Sequence, residues 1–239
     1  MKSRYLILSL LFIFSIGFIS YRVTHALFSD TAQSQDNTFS AADVFPPQTD
    51  HIVISEVQIT AGPGATDHDF VEFYNPTSSP FDLNGHRLVK RTGSSPNDTT
   101  MKSWTSSAII PAHGFYLWAS SDDGYGVSIG ADESTAANIA PSNSIALRFG
   151  AEDIGTIIDA LSWNSASQSL KEGTEFSPDP TANQSMERKA LSSSTASSMA
   201  VGGADEFKGN GFDLNDNATD FILRTLSQPQ SSTSSAEIP

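Results

Sequence analysis

Ser144-Ile-Ala-Leu-Arg-Phe149-Gly-Ala-Glu-Asp153-Ile-Gly-Thr156-Ile-Ile-Asp159-Ala-Leu-Ser-Trp163 decides the fold class. Ile145, Leu147 and Phe149 fall at alternate positions, so an extended chain places all three on one face. Thr156 to Trp163 supplies a partner strand across a turn at Gly150–Asp153. The pair reads as a β-hairpin, with Trp163 as a core anchor at its end.

The same grammar extends outward. Ile52-Val-Ile-Ser-Glu-Val-Gln-Ile59 has strand composition, and its alternation changes phase around Ser55-Glu56, as a bulge or register shift would produce. Phe70 to Tyr74 is a second strand. Phe81-Asp-Leu-Asn84-Gly85-His-Arg-Leu-Val89 reads as a hairpin, because Asn-Gly suits the two positive-φ positions of a type I′ turn. Trp104 to Ile110 runs into the turn cluster Pro111-Ala-His-Gly114, with Phe115 to Trp118 as the return strand. Residues 119 to 142 are expected to be a surface excursion. Ser185-Met-Glu-Arg188 is a short ordered candidate, residues 191 to 204 a mobile Ser/Ala/Gly-rich stretch, and Asp220 to Arg224 a closing strand. Residues 227 to 239 are expected to be a disordered tail. Helical periodicity is weak throughout, and short strands between Gly, Pro, Asn and Ser clusters predict an all-β sandwich over 51–226.

Composition narrows the chemistry. The chain has 239 residues, a formal charge of −14 and no cysteine, so disulfides, thiolate zinc sites and cysteine nucleophiles are excluded. Stability must come from packing, to which 15 Phe, 3 Trp and 5 Tyr contribute at about 25 cal/mol per Å² buried. An acidic surface without a basic patch cannot release counterions from a phosphate backbone, so nucleic acid is not an expected partner.

Five segments taken in order resemble the lamin tail domain, an immunoglobulin-like β-sandwich of nuclear lamins and of many exported bacterial proteins. They are Ile52-Val-Ile-Ser-Glu56, Phe70-Val-Glu72-Phe-Tyr-Asn75-Pro76, Phe81-Asp82-Leu83-Asn-Gly85, Ile110-Pro-Ala-His-Gly114-Phe-Tyr-Leu and Ile157-Ile-Asp159-Ala-Leu-Ser-Trp163. Ser185-Met-Glu-Arg188 and Asp216-Asn217-Ala-Thr-Asp220-Phe match features of the bacterial branch. The resemblance implies an immunoglobulin-like β-sandwich that binds through loops or sheet edges. In bacteria such domains often accompany hydrolase domains in longer chains, so this chain is expected to act alone or in trans. Glu72, Asp82 and Asp159 are read as structural: Asn75 before Pro76 can close a turn through its side chain, Asp82 is free to bond nearby backbone, and Asp159 can hold a strand end or the Trp163 indole. His86 stands where many relatives carry an aromatic residue.

The N-terminus reads as an export address. Lys2 and Arg4 precede an uncharged apolar run from Tyr5 to Ile19, and Thr24 and Ala26 place small residues before a cut near Leu27. Cleavage would remove a signal peptide, 1–26, and leave 213 residues with a formal charge of −17. Residues 27–50 are read as a polar linker. The stretch from the end of the signal peptide, Ala26-Leu-Phe-Ser-Asp30-Thr-Ala-Gln-Ser34-Gln-Asp-Asn37-Thr-Phe39-Ser-Ala41, resembles the N-terminal region of the TasA/camelysin group of exported bacterial surface and biofilm-matrix proteins. The expected location is secreted or at the cell surface. An uncleaved membrane anchor is the alternative, although the run is short of the ~20 residues a spanning helix needs.

No His-Glu-x-x-His, Gly-x-Ser-x-Gly or Gly-x-x-x-x-Gly-Lys-Ser/Thr pattern occurs. Catalytic and cofactor-binding residues are therefore not assigned. Two acidic clusters offer oxygen ligands. Asp67-His68-Asp69 with Glu72 could serve a divalent-metal hydrolase if three of them met around one cavity, though adjacent strand residues point to opposite faces. Asp213, Asn215, Asn217 and Asp220 have the near-alternate spacing of a calcium loop, but Ala218 and Arg224 stand where an EF-hand needs Gly and Glu. An Asx-rich turn is the favoured reading there. The leading expectation is a non-enzymatic surface or matrix protein binding an extracellular macromolecule or cell-surface component. The alternatives are a matrix-forming subunit, a metal-dependent hydrolase or an accessory to one.

Overall fold

Twelve short strands, two single-turn α-helices and a 3₁₀ turn at Asp122–Gly124 make up the regular structure of the described residues, 49–163 and 170–239 of a computed structural model. The expected signal peptide, the TasA-like stretch and nearly all of the linker lie outside the described residues. In chain order the elements are β1 (Val53–Gln58), β2 (Phe70–Tyr74), β3 (Phe81–Asp82), β4 (His86–Thr92), β5 (Asp98–Ser103), β6 (Ile109–Ile110) and β7 (Phe115–Ser120). Then follow α1 (Tyr125–Ser128), β8 (Glu133–Thr135), β9 (Asn143–Phe149), β10 (Thr156–Ser162), β11 (Ser185–Arg188), α2 (Asn217–Asp220) and β12 (Phe221–Arg224).

One sheet has the order β12-β11-β1-β2-β7-β8, the other β10-β9-β4-β5, and β3 pairs with β6 at one end. Every pairing is antiparallel except β7 with β8. The two larger sheets enclose a single core in which Ile54, Val57, Val71, Phe73 and Trp118 meet Leu88, Ile145, Leu147, Leu161 and Trp163. Fully burying one such aliphatic or aromatic side chain stabilises by about 1.5–3 kcal/mol. The β9–β10 hairpin forms as its alternation predicts, in an all-β immunoglobulin-like sandwich. The phase change in β1 is a register shift between Ile54 and Glu56 against β2, which lets both Ile54 and Val57 reach the core despite their odd spacing.

The Asn84-Gly85 segment is not a hairpin turn. Only Gly85 has positive φ (84°), and the His86 N–H donates to the Leu83 carbonyl at 2.8 Å. A corner with one left-handed residue rather than two sends the chain from β3 into a different sheet, where β4 pairs with β5 and β9. Phe149 packs against that corner so closely that a Cβ on Gly85 would sit 3.0 Å from its ring. His86 takes the aromatic place between Phe81 and Phe149, with ring centroids 5.1 and 5.0 Å away.

Of the expected strand 104–110 only Ile109–Ile110 is found, as β6 against β3. Pairing falls instead on Asp98–Ser103, a Thr-rich edge strand with no apolar stripe to announce it, while β7 returns against β2. The Pro111–Gly114 turn closes with a 3.0 Å bond from the Gly114 N–H to the Pro111 carbonyl. The stretch expected to be mobile is tied by turns, with Ser194 Oγ 3.1 Å from Asp205 Oδ2 and the Asp205 N–H donating to the Ser198 carbonyl at 2.7 Å.

Residues 227–239 are not a loose tail. They lie along the outer face of the six-stranded sheet: the Tyr74 hydroxyl donates to the Glu237 carbonyl, and the Glu237 N–H to the His113 carbonyl at 2.8 Å. Around α1, Tyr125, Ile129 and Ala131 cover Phe70, Leu117 and Ala119 of the same face. β1, β2 and β7 are consequently buried on both sides, which is why they carry near-continuous apolar runs.

The sheet margins are closed by side chains. Along β10 the Asn217 amide bonds the free edge in both senses, Nδ2 donating to the Ala160 carbonyl at 2.8 Å and Oδ1 accepting the Ser162 N–H at 3.1 Å. At β5, Asp153 accepts the Asp98 N–H at 2.5 Å and Glu152 the Thr100 N–H.

Candidate functional site

The densest polar site is built around Arg188, the last residue of β11 and fully buried. β11 pairs with β1 only as far as Glu56–Glu187, so on that side the Ile54 backbone, which pairs with Phe73 on the other, has no partner strand. Side chains replace it. Arg188 Nε donates to the Ile54 carbonyl at 2.9 Å, and the Ile54 N–H donates to Asp159 Oδ2 at 2.5 Å. Arg188 Nη2 in turn lies 2.9 Å from both Asp159 oxygens, a buried ion pair joining β11 of one sheet to β10 of the other. The guanidinium also sits 4.6 Å from the centre of the Phe221 ring.

More acids crowd the same cation. Arg188 Nη1 lies 3.3 Å from Asp213 Oδ1 and 3.9 Å from Asp220 Oδ2. Burial first, and then the negative charge of Asp159, push Glu172 up to about 9, and burial pushes Asp220 up to about 6. Burial alone would weaken the guanidinium's hold on its proton, but these acids outweigh it and its pKa is raised.

This arrangement places every member of the expected calcium loop. Asp213 and Asp220 turn to Arg188, and Asp220 also accepts the N–H groups of Leu214 and Asp216 at 3.0 Å. Asn217 caps β10, and Asn215 is an exposed left-handed residue with φ 56°. Asp216 caps α2 by accepting the Thr219 N–H at 3.1 Å. Three of the four candidates are thus engaged internally, as in an Asx-rich turn. Millimolar calcium is expected to leave the melting temperature unchanged, and a rise that Asp213→Ala abolishes would show that the loop binds the ion.

The other acidic cluster is dispersed. Asp67 accepts from Asn138 Nδ2 at 3.3 Å, His68 stacks on Tyr125 with ring centroids 4.4 Å apart, and Asp69 is buried with Oδ2 2.6 Å from the Ile139 nitrogen. Burial pushes Asp69 up to about 7. Glu72 faces away from the core, accepting from Ser55 Oγ at 2.5 Å. The grouping with metal-ligand spacing among the described residues instead brings His68 to Asp122 and Asp123, one ligand atom from each lying within 4.8 Å of the others.

Asp159 holds a strand end, as one of its two expected roles had it, and not the indole. Trp163 Nε1 has no hydrogen-bond partner among the described residues. Asn75 closes its turn as expected, Oδ1 accepting the Thr77 N–H at 3.0 Å and Nδ2 donating to the Ser79 carbonyl at 2.8 Å. Asp82 accepts the N–H groups of Asn84 and Ala108 at 2.9 and 3.0 Å.

The family model of the Lamin Tail Domain matches residues 46–165, which takes in β1 through β10 and both closing turns. The chain belongs to the lamin tail domain family. No curated protein matches it. The matched span of this lamin tail domain contains Asp159 but not Arg188, so the ion pair joins the family match to the segment after it. The sequence marks Ser185–Arg188 as ordered but not the ion pairing of Arg188, nor the place of Glu172, because both depend on neighbours far apart in the chain. No helix of the described residues is long and apolar enough to cross a membrane.

Proposed function

We propose that this lamin tail domain protein works outside the cytoplasm, secreted or held at the cell surface, as a non-enzymatic surface or matrix protein that binds an extracellular macromolecule. The observation that carries the reading is the tip of the β9–β10 hairpin. Phe149 and Ile157, at the paired strand ends, are exposed by 52% and 41%, and Ile154, in the turn between them, by 88%. Exposed apolar side chains at one end of a sandwich suit a partner surface. The basic start and apolar run at the N-terminus support export, and the acidic charge of −14 supports solubility there. The engagement of Asp159, Asp213 and Asp220 with Arg188, and the dispersal of Asp67, His68, Asp69 and Glu72, favour binding over hydrolysis.

Co-sedimentation of the purified protein with cell-envelope and extracellular-matrix fractions of its host tests this. The parent protein is expected to bind, and the Ile154→Asp/Ile157→Asp double variant to bind at least about tenfold more weakly, the equivalent of 1.4 kcal/mol. Both side chains are exposed, so the fold should persist. Equal binding by the variant would remove the hairpin tip from the reading.

A further inference from the structure

The register of the six-stranded sheet sets three glutamates side by side. Glu72 of β2 is directly opposite Glu56 of β1, and Glu56 is directly opposite Glu187 of β11. Directly opposed residues share a face with Cβ atoms about 4.5–5.5 Å apart, where like charges repel. The row lies on the face away from the core, and the chain after β12 covers it. The Gln228 N–H donates to both carboxyl oxygens of Glu56 at 3.2 Å, and the Gln230 N–H donates to Glu72 Oε2 at 2.6 Å. Ser227 Oγ donates to Gln58 at 2.8 Å, and farther along the Ser232 N–H donates to Asp132 at 2.9 Å.

We propose that residues 225–239 are a pH-sensitive latch, closed over the row Glu72–Glu56–Glu187 and released from it in alkaline solution. Covering the row takes its carboxyl groups out of water. Burial first, then the adjacent Glu187, pushes Glu56 up to about 8; burial and then Glu56 raise Glu72 well above its usual range; burial also raises Glu187. Releasing the segment restores water to the row and with it the ordinary affinity for protons.

The closed latch therefore holds protons that the open one gives up. Between the usual carboxylate range and about pH 8, each unit of pH favours release by up to about tenfold for each proton linked. Above that range Glu56 is ionised in both states and the dependence on it levels off.

The surrounding groups are consistent with this sign. From β12, Arg224 pairs with Glu187 at one end of the row. From the segment itself Glu237 accepts from Gln230 Nε2 at 2.8 Å, adding another acid. From α1 the Tyr125 hydroxyl accepts from Gln58 Nε2 at 2.9 Å; burial pushes it up to about 12, beyond the window. From the loop before α2, Asn210 bonds Glu187 at 3.0 Å, while Glu206 and Lys208 line a cavity of about 150 Å³ that reaches Glu187, Gln228 and Gln230. That cavity gives water a route to the edge of the row.

The chain has no cysteine, so Ala236→Cys gives a unique and exposed labelling position in the full protein. Fluorescence anisotropy of a dye there is expected to fall as pH rises from 5 to 9, with the far-ultraviolet circular dichroism unchanged. Glu56→Gln keeps an acceptor for the Gln228 N–H and removes the charge, and should abolish the fall or move its midpoint up by at least one pH unit. Glu72→Gln gives an independent second reading. Anisotropy that stays flat across the range overturns the latch, as does an identical profile in both glutamine variants. Loss of secondary structure together with the release overturns it too, since the event would then be global unfolding.

Discussion

Arg188→Met is expected to lower the melting temperature by roughly 6–20 °C, the result of losing about 3–5 kcal/mol when a buried ion pair is broken from one side. Methionine fills much of the space but supplies no charge. Asp159, Asp213, Asp220 and Glu172 would then face one another without their common cation, and the Ile54 carbonyl would lose its 2.9 Å donor. Thermal unfolding followed by circular dichroism measures the loss. The pH dependence identifies its cause. Without the guanidinium, Glu172 and Asp220 must rise further above their unfolded values, so the stability they contribute is present only in acid and is lost as pH rises. The deficit against the parent protein should narrow between pH 7 and pH 4. A melting temperature unchanged at pH 7 would mean that Arg188 is not the hub of the seam.

Trp163→Ala should cost about as much, ~3–5 kcal/mol, for a different reason. Trp163 is completely buried, packs in the main core and forms a bridge to Phe176 just beyond β10. Removing it leaves a cavity between the sheets that the surrounding strands cannot collapse into. Since no described residue bonds its Nε1, Trp163→Phe should be far milder than Trp163→Ala, and calorimetry of the two variants separates volume from hydrogen bonding. Equal destabilisation by both would show that the indole nitrogen matters.

The parts of the fold that were legible from residues alone are those in which one local pattern has one reading. The alternation of Ile145 and Leu147, the phase change at Ser55-Glu56 and the Asn75-Pro76 turn each depend on a few neighbouring residues, and each is found. Asn84-Gly85 misled because its dipeptide fits two kinds of turn, and the choice between them is made by Phe149, more than sixty positions away. β5 was missed because Met101 is its one apolar residue, too few to mark a face. The segment after Leu226 looked loose because Gln, Ser and Pro cannot build a core. Its backbone is held instead by the acceptors Glu56, Glu72 and Asp132, whose alignment exists only once the strands have paired. The Arg188 cluster was hidden for the same reason: its acids lie on three separate stretches of chain, none of them its own.

Asn217 on β10 and the Glu152–Asp153 pair on β5 have a consequence for how copies of this protein can gather. An exposed ribbon edge is a template for another chain, and proteins that stay apart in crowded surroundings blunt such edges. Here the two margins of the four-stranded sheet carry amide and carboxyl plugs, while the margins of the other sheet are strands of only three and four residues. Concentrated solutions should therefore resist end-to-end ribbon growth, and any fibre built from this protein would have to be joined through its faces or its loops.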